Sequence, residues 1–461
     1  MPLSETAIER IGEVFQRAEL GDPRRVRRAK SLASALAREP QASLPQAWQT
    51  EAELEAGYRF LRSPHTGFEK LMEAVQLASR ERTLETRSVL VIHDTTDISC
   101  PSATAEEVGF LQTGKAGFFV HHALALDEAD RRPLGIVWSQ LWGRAQRSRG
   151  RGRNRAGSAF AEQKERESDR WLEGVSEAQA WTAGSERVVH VMDREADSFR
   201  LLDEMRRLDA SFVVRLRHDR RTASGKLLDV LEGKEIRTRR YVWLSPRAAK
   251  STPRCTYQGR AAREATLEVT AAQVELQPPK YVDAEPLELN VVRIREREAP
   301  EGVRPVEWLL ATSLPISRRA DLERVIDIYR ARWLVEELHK VLKTGCMFEK
   351  RQLESFESLT TLLAFSYPLA CELLRVRTRS RDPNTLAAEV LRNTQLECLR
   401  AHPKARPLPE QATAQEALEV IAGLGGHIRC NGPPGWQTLA KGYRELLAFE
   451  AGWLAAKAAD L

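Results

Sequence analysis

One stretch late in the sequence, YRARWLVEELHKVLKTG, carries polar side chains at helical spacing. Their positions are Tyr329, Arg332, Glu336 and Lys343, at steps of three, four and seven residues. Because an α-helix turns about 100° per residue, these side chains fall within about 60° of one another, with leucine and valine on the opposite side. Such a helix packs on a core and presents a carboxylate flanked by cations. A solvated face with favourable ion pairs is the alternative interpretation.

Two aspartates earlier in the chain follow buried-type strands. The run SVLVIHD ends at Asp94, and the run RVVHVMD ends at Asp193. Side chains converge at the strand ends of an α/β sheet, and hard divalent ions such as Mg²⁺ bind carboxylates together with water and substrate phosphate. We therefore predict that Asp94, Asp193 and Glu336 meet at a metal site suited to phosphoryl transfer. Arg332 and Lys343 have the chemistry to hold the phosphate.

Each of these acids also has a purely structural interpretation. Asp193 fits a helix N-cap before READ, and Asp94 fits a turn with the threonines that follow it. Glu336 fits an ion pair with Lys340. Three neighbouring acids compete for the same role, namely Asp97, Asp197 and Glu337. Of these, Glu337 is predicted to point away from the polar side of the helix.

The composition narrows the class of protein. Of 461 residues, 42% are hydrophobic and 30% are charged, and this length and composition predict two or three domains. No apolar run reaches the length of a membrane span, so we expect a soluble chain with no membrane partner. The N-terminus lacks a basic region followed by an apolar core, so we expect a cytoplasmic protein. A net charge of +6 permits a polyanionic partner. The six cysteines form no C-x-x-C pair, which argues against a zinc ribbon or a disulfide framework.

The periodicity of the chain predicts an α/β fold with helical ends. Residues 1–70 have helical patterns, whereas residues 88–142 alternate like an antiparallel meander of strands. Helix and strand are interleaved over residues 188–215, and residues 220–310 contain short strands with proline-rich turns, which indicate a β-rich insertion. The Arg-, Gly- and Ser-rich run at 144–155 is predicted to be a mobile loop.

A second group of cations lies near the N-terminus. After the break Gly21-Asp22-Pro23, the predicted helix opens with four arginines in its first turns, at Arg24, Arg25, Arg27 and Arg28. Cations at a helix N-terminus oppose the helix dipole and gain no stability from it. We therefore favour contact with phosphate over the alternative, a solvated basic turn.

Several short motifs occur in a fixed order along the chain, and their order can be compared with that of a known family. The set is LGDPRR at 20–25, AGYRFLRSP at 56–64, HDTT at 93–96, DREAD at 193–197, FVVR at 212–215, EWLL at 307–310, the 329–345 helix, and the closing LGG and LAAK segments. The spacing of Tyr329, Arg332, Glu336 and Lys343 resembles the YREK signature of bacterial DDE transposases of the insertion-sequence-four (IS Four) family, typified by Tn-Five. The other motifs resemble that family in the same order. The resemblance runs over nearly the whole chain.

The resemblance implies a fold, a metal and a division into domains. Asp94, Asp193 and Glu336 would be the DDE triad on an RNase H-like core, a mixed sheet flanked by helices, and would bind two Mg²⁺ ions for which Mn²⁺ substitutes. The implied domains are a helical DNA-end-binding domain at 1–70, a catalytic domain at 71–370 with the β-rich insertion at 220–310, and a helical dimerisation domain at 371–461.

The resemblance also implies contacts with double-stranded DNA, both the inverted-repeat ends of a transposon and the target. Tyr329 and Arg332 would grip a phosphate of the transposon end, and Lys343 would lie close to the reacting strand. Trp308 would stack on a base flipped from the duplex, which is physically reasonable because stacking on an aromatic ring tolerates any base. A core tryptophan is the alternative. Arg215 matches a DNA-contacting arginine.

The implied reaction is cut-and-paste transposition by a homodimer, through end nicking, a hairpin, hairpin opening and joining to target DNA. The terminal helix at 436–457 is the expected dimer contact. Asp97 departs from the family pattern and puts a spare acid near the metals. Two alternatives stay open: a domesticated or inhibitory protein that binds DNA ends without cutting, and an RNase H-like nuclease acting on branched DNA.

Overall fold

The chain begins with helices, as predicted, in the computed structural model, which describes residues 3–144, 156–252, 255–257 and 259–459. These helices are α1 (Glu5–Val14, followed by a 3-10 turn at Phe15–Arg17), α2 (Pro23–Arg38), α3 (Leu44–Ala47), α4 (Glu51–Leu61) and α5 (Phe68–Leu84). Asp22 caps α2 by accepting a hydrogen bond from the Arg24 amide at 2.7 Å, and Pro23 takes the first helical position. The predicted loop at 144–155 lies outside the described residues beyond residue 144.

A mixed sheet follows these helices. Its elements are β1 (Val89–Ser99), α6 (Ala105–Val108), β2 (Gly117–Asp127), β3 (Pro133–Trp142), α7 (Ala156–Trp181), β4 (Val188–Met192), α8 (Phe199–Arg207) and β5 (Ser211–Arg215). β1, β2 and β3 form the predicted antiparallel meander, and β4 and β5 add to the other side of β1 in parallel. The resulting order β3-β2-β1-β4-β5 is consistent with the predicted RNase H-like core.

Strand β1 is longer than predicted. Its antiparallel pairing with β2 continues to Ser99, whereas its parallel pairing with β4 ends at Ile92. The prediction that the strand itself ends at Asp94 is therefore wrong, because backbone hydrogen bonds to β2 hold the next residues in the sheet. Asp94 instead lies where the sheet splits, just past the last residue paired with β4.

The region predicted as a β-rich insertion extends the same sheet. It contains β6 (Arg221–Thr222), β7 (Gly225–Lys226), α9 (Leu227–Glu232), β8 (Thr238–Leu244), β9 (Lys250–Thr252), β10 (Cys255–Tyr257), β11 (Arg263–Leu276), β12 (Leu287–Glu296) and β13 (Glu307–Thr312). β13 pairs antiparallel with β5, and β12 and β11 follow outward. Among the described residues one sheet thus joins 11 strands, and β13 brings the insertion next to the core.

The helix predicted to carry the polar residues is not continuous. It consists of α10 (Arg319–Ala331), α11 (Trp333–Lys340) and a π-helical turn at Val341–Gly345. Arg332 lies at the junction, where the chain tightens because the Arg332 amide bonds to the Tyr329 carbonyl at 3.1 Å. At the other end the Cys346 amide bonds to the Val341 carbonyl, which widens the turn. Single π-helical turns occur frequently at functional sites.

The remaining helices are α12 (Phe356–Arg379), α13 (Asn393–Ala401), α14 (Ala414–Leu424) and α15 (Trp436–Ala459). The predicted domain boundary at 370/371 falls inside α12, which is one continuous helix. Among the described helices, α12 alone has the length and apolar composition to cross a membrane. Since 94% of its most apolar window is buried inside the protein, it is described better as the central core helix.

Candidate active site

Arg332 joins two of the three predicted acids. Its Nη1 donates a hydrogen bond to Asp94 Oδ2 at 3.2 Å, and its Nη2 donates to Glu336 Oε1 at 3.3 Å. The side chains of Asp94 and Arg332 are only 11% and 12% exposed, whereas that of Glu336 is 37% exposed. β1 supplies the first acid and α11 the second, so helix packing on the sheet brings them together.

Asp193 is the third predicted acid, directly after β4. Its Oδ1 accepts a hydrogen bond from the Glu195 amide at 2.7 Å, so the N-cap interpretation describes one of its oxygens correctly. Its negative charge nevertheless reaches the site, because it raises the pKa of Asp94 and of Tyr329. Asp193 therefore belongs to the same electrostatic site, although no hydrogen bond among the described residues ties it to Asp94.

The pKa of the Asp94 carboxyl group is raised by its surroundings in this site. Burial is the main cause that raises the pKa of its carboxyl group, and the charges of Asp193 and Glu336 raise it as well. The Arg332 guanidinium opposes them, and the resulting pKa is about 7. Buried, clustered carboxylates of this kind are stabilised in their charged form by a cation.

A residue that the sequence analysis missed completes this cluster. Ligand atoms of Asp94, Glu336 and His339 all lie within 4.8 Å of one another. His339 is buried, and its Nε2 has no hydrogen-bond partner among the described residues. The signal was present in the sequence, because Glu336 and His339 are three residues apart and such residues share a helix face.

The donor set agrees with a divalent cation. Carboxylate oxygens are the ligands of Mg²⁺ and Mn²⁺, and Asp94 and Glu336 offer them close together. Asp193, the third predicted ligand, is not part of this group of ligand atoms among the described residues. Imidazole is a poorer partner for Mg²⁺, which prefers oxygen, so His339 would favour Mn²⁺ within this pair. The unpartnered Nε2 of His339 is chemically able to bind such a cation.

Three predicted DNA-binding residues form a second cluster beside the acids. The rings of Trp308 and Tyr329 meet at 71° with centroids 5.1 Å apart, and the Arg215 guanidinium lies 5.7 Å from the centre of the Trp308 ring. Pairing of β13 with β5 places Arg215 opposite Leu310, so the insertion positions this cluster. Trp308 is half-buried and packs against the core, which leaves part of its ring accessible.

Tyr329 is less accessible than predicted. Its residue is 6% exposed, because the Trp308 ring and the Arg215 side chain cover it, and it is not on an open polar face. Burial is also the main reason why its pKa is raised. Only Arg332 and Glu336 keep the neighbouring positions that the helical spacing predicts for them.

Lys343, predicted to share the polar side of the helix with Glu336, pairs with acids outside that side. Its Nζ lies 3.1 Å from Asp97 Oδ1 and 4.0 Å from Glu349 Oε1. Lys343 belongs to the π-helical turn, where the side chains no longer follow the 100° rotation of the α-helix. Asp97, which the sequence offers as a spare acid near the metal, is thus held by a cation.

The other competing acids have structural roles. Asp197 accepts hydrogen bonds from the amides of Arg217 and His218 and from the Arg220 side chain. Glu337 accepts from Lys340 at 2.7 Å and from the Trp436 indole at 2.7 Å, so it points away from the site as predicted. Neither carboxylate is available for a metal.

The basic residues of α2 lie in the N-terminal helical region. Arg25 donates to the Leu20 carbonyl at 2.8 Å. Arg24, Arg27 and Arg28 form no ion pair with any other residue that the structure describes, so their guanidinium groups are free to meet phosphate. α2 packs against α1 and α12.

Two parts of the chain match known protein families. Residues 11–66 match the Transposase DNA-binding family, and residues 162–367 match the Transposase DDE domain family. The second match includes Asp193 and Glu336, and the first includes the α2 arginines. The chain therefore combines a region that matches a transposase DNA-binding domain with a region that matches a DDE transposase domain.

One solved structure similar to this chain is the cryo-EM structure of a piggyBac transposase synaptic complex with hairpin DNA. The identity is 11%, the superposition covers 81% of this chain and 66% of that chain, and the TM-score is 0.33. This chain thus spans slightly less than two thirds of that protein.

Proposed function

We propose that this protein is a cut-and-paste DNA transposase of the IS Four family, YREK group, resembling Tn-Five. The observation that carries the proposal is the bridge from Arg332 to both Asp94 and Glu336, with the charge of Asp193 beside it. Two acids of the proposed DDE triad and the arginine of the proposed signature meet there, although Asp94 is distant in the chain from Arg332 and Glu336. The ordered motifs at 20–25, 56–64 and 193–197 support the same family.

In this proposal Asp94, Asp193 and Glu336 hold two Mg²⁺ ions, with Mn²⁺ as a substitute. When bound, such ions activate the attacking water or hydroxyl and stabilise the leaving oxygen of an in-line displacement. The protein's contribution is to hold three carboxylates at fixed positions, on β1, directly after β4, and on α11. Arg332 can release Asp94 when a cation replaces it and turn its fork of donors toward a DNA phosphate.

The DNA strand would cross the cluster of Trp308, Tyr329 and Arg215. The accessible part of the Trp308 ring offers a stacking surface for a flipped base. Arg215 and the Tyr329 hydroxyl lie beside it and suit the adjoining phosphate. Lys343 would reach the reacting strand after exchanging its partner Asp97 for phosphate.

The reaction sequence that we propose has four steps without a covalent enzyme intermediate. Water attacks the phosphodiester at the transposon end, and the freed 3′-hydroxyl attacks the opposite strand to give a hairpin. Water then opens the hairpin, and the 3′-hydroxyls attack the target DNA. Each step is the same in-line displacement, so one set of acids serves them all.

We also propose that the active form is a homodimer joined through α15. The first half of this helix is buried against its own chain at Trp436, Leu439, Tyr443 and Leu446. Its last turns leave an apolar side chain, Leu454, 47% exposed. A second copy of the helix would cover that end.

A DNA-end-binding protein without catalysis is the main alternative, and a nuclease on branched DNA is the other. The buried pairing of Asp94 with Arg332 supports the enzyme, because a buried carboxylate with no function is costly to keep. The half-accessible Trp308 and the DNA-binding domain support transposition over a branched-DNA nuclease. Inverted terminal repeats on both sides of the coding region would distinguish transposition from both.

The direct test is incubation of the purified protein with the ends of its own element and Mg²⁺, with a parallel reaction in Mn²⁺. Nicks, hairpins and joined products are resolved on a denaturing gel. Nicks followed by hairpins and joined products are the expected result. Binding without nicks would favour the silent end-binding protein, and nicks without hairpins or joining would favour the nuclease.

A further inference from the structure

Three buried histidines lie on the face of the sheet opposite Asp94. Successive side chains of a strand point to opposite faces, so His93 of β1 points away from the acidic cluster, toward the side that α7 covers. His121 of β2 and His190 of β4 lie beside it, with ring centroids 5.8 Å and 5.2 Å from that of His93. All three residues are 0% exposed. Each therefore carries polar nitrogens into the core, where they need partners.

Two of these histidines form a hydrogen-bonded chain with Gln179 of α7. His190 Nε2 lies 2.8 Å from Gln179 Oε1, and His93 Nε2 lies 2.9 Å from His190 Nδ1. Burial is the main cause that lowers the pKa of both imidazoles, that of His190 to about 4, so both rings are neutral at pH 7. A neutral imidazole has one N–H, and an amide oxygen only accepts. His190 therefore donates from Nε2 to Gln179, and His93 donates from Nε2 to His190.

This chain crosses between the two strands that lead to the aspartates. The parallel pairing of β1 with β4 ends at Ile92 and Val191. Asp94 and Asp193 each lie two residues beyond this last pair, where β-ladder pairing no longer joins the two strands. The bond from His93 to His190 links β1 to β4 directly beside that point. A side-chain hydrogen bond thus continues the connection at the place where the backbone connection stops.

The residue on the other side of Asp94 is anchored as well. Thr95 Oγ1 lies 2.9 Å from His121 Nδ1 on β2, and the Thr95 amide donates to Asp94 Oδ1 at 2.9 Å. Both chain neighbours of Asp94 are therefore held by hydrogen bonds on the far face of the sheet, one toward β4 and one toward β2. Asp94 cannot shift sideways without breaking one of them.

Stability alone does not explain this arrangement. His93 Nδ1 and His121 Nε2 are buried without a hydrogen-bond partner anywhere in the described part of the chain, which is unfavourable. Apolar side chains of similar shape would avoid that cost, because replacing both partners of a buried hydrogen bond can be nearly neutral. Hydrogen bonds are directional whereas apolar contacts are not, so a polar network fixes one geometry of a core.

We propose that Gln179, His190 and His93 are positioning residues of the active site. Their hydrogen-bonded chain holds β4 against β1 and so sets the separation of Asp94 and Asp193. The inference rests on the proposed function, in which these two carboxylates share a divalent cation. That cation lies next to the one at Asp94, Glu336 and His339, and the chain decides whether the pair of ions can form.

The first test uses the metal-free wild type, with its histidines labelled with ¹⁵N. Nuclear magnetic resonance should show protonated Nε2 and unprotonated Nδ1 in both His93 and His190. It should also show a coupling through the hydrogen bond between His93 Nε2 and His190 Nδ1. Loss of these signals on substitution of either residue assigns them. Absence of the coupling would overturn the proposal.

The second test uses variants that separate position from stability. His93→Phe combined with His190→Phe removes both hydrogen-bond partners and keeps two rings, and the half-buried Gln179 can then bond to water. His93→Gln keeps an N–H donor toward His190. His402→Phe, at a histidine that is 6% exposed and follows α13, is the control for replacing a buried imidazole. Urea unfolding should give all of them a midpoint close to that of the wild type.

Electron paramagnetic resonance then measures Mn²⁺ binding in each variant. The wild type, His93→Gln and His402→Phe should bind two ions and give the spectrum of a magnetically coupled pair. The His93/His190 double variant should keep the first ion, bind the second about 10–100-fold more weakly and lose the coupled spectrum, since it lacks a group that orients the ligands. A residue that only stabilises the core would not change the second affinity alone.

The proposal is overturned if the double variant keeps both affinities and the coupled spectrum, or if His93→Gln behaves like the double variant. If the double variant does not fold, Gln179→Leu replaces it, because this change affects only the half-buried end of the chain. A protein with the expected Mn²⁺ results that does not cut DNA would contradict the proposed function alone. A protein that cuts DNA while the coupled pair is unaffected by these variants would contradict the positioning role alone.

Discussion

Arg332 donates to Asp94 at 3.2 Å although 238 residues separate them in the chain. Both side chains are almost buried, so the guanidinium balances a carboxylate that water cannot reach easily. Arg332 also contacts Glu336, four residues further along. This single arginine therefore holds two acids of the candidate triad in place before any cation or DNA arrives.

The first prediction concerns Glu336. Glu336→Gln should leave binding to transposon ends intact but reduce metal-dependent cleavage by at least about 100-fold, because even partners outside the ligand shell cost about 10–100-fold when removed. Gel-shift and denaturing-gel assays measure the two properties. Glu337→Gln is the matched control, since Glu337 bonds to Lys340 and Trp436 and should leave cleavage close to wild type. Cleavage retained in Glu336→Gln would refute the assigned role.

The second prediction concerns the stability of the metal-free protein. The pKa of Asp94 is about 7 in the folded protein and close to 3.8 in the unfolded chain. The folded state therefore binds more protons between these values, so its stability falls as pH rises from about 4 to 7. Asp94→Asn removes this penalty and should raise the free energy of unfolding at pH 8, by at most about 4 kcal/mol at roughly 1.4 kcal/mol per pH unit.

Urea unfolding in EDTA at pH 8 and at pH 4 measures this effect. The difference between Asp94→Asn and wild type should shrink toward pH 4, where the folded state holds the proton and the unfolded state holds it in nearly half of the molecules. Added Mn²⁺ should stabilise the wild type more than the variant, since the ion binds the folded carboxylates. An Asp94→Asn protein that is less stable than wild type at pH 8 without metal would contradict the electrostatic picture.

The third prediction concerns His339. If its imidazole joins Asp94 and Glu336 around a cation, His339→Ala should lower Mn²⁺ affinity by about 10–100-fold. Electron paramagnetic resonance titration measures the affinity, and a nitrogen coupling on the bound Mn²⁺ should disappear in the variant. The exposed His65→Ala is the control. Unchanged affinity and an unchanged nitrogen coupling would leave His339 as a core residue only.

The fourth prediction concerns Trp308. Trp308→Ala should slow hairpin formation more than first-strand nicking, by roughly 5–150-fold, because stacking of a base on an aromatic ring contributes about 1–3 kcal/mol. Trp308→Phe keeps a ring over Tyr329 and should recover part of the rate. Time courses that separate nicks from hairpins provide the measurement. Equal slowing of both steps would count against base stacking.

The fifth prediction concerns the basic start of α2. Arg27→Ala combined with Arg28→Ala should weaken end binding and make log K less dependent on log salt, by up to about 1.8 units for two phosphate contacts. Binding isotherms at several salt concentrations provide the slope. Lys280→Ala combined with Arg304→Ala is the charge-matched control. If the α2 variant keeps the wild-type slope, these arginines are not at the DNA interface.

Much of the fold could be predicted from local pattern. The meander of β1, β2 and β3 follows from alternating apolar residues, and the start of α2 follows from Asp22 and Pro23, since both signals act within a few residues. The extension of β1 past Asp94 could not be predicted, because polar residues there are held by pairing with β2. The break at Arg332 has no sequence signal that we recognise.

The sequence by itself determined which residues could do chemistry: three acids, the spacing of Arg332 and Glu336, and the cations of α2. The spacing of residues within one helix or strand is a local property, so it can be predicted from the sequence without knowledge of the fold. Only the tertiary structure decided which side chains are in contact. It shows that Arg332 bonds to Asp94, that Lys343 bonds to Asp97, and that His339 lies beside Asp94 and Glu336. The physical reason is that sheet register and the packing of α11 on β1 set these distances, and both depend on contacts between segments far apart in the chain.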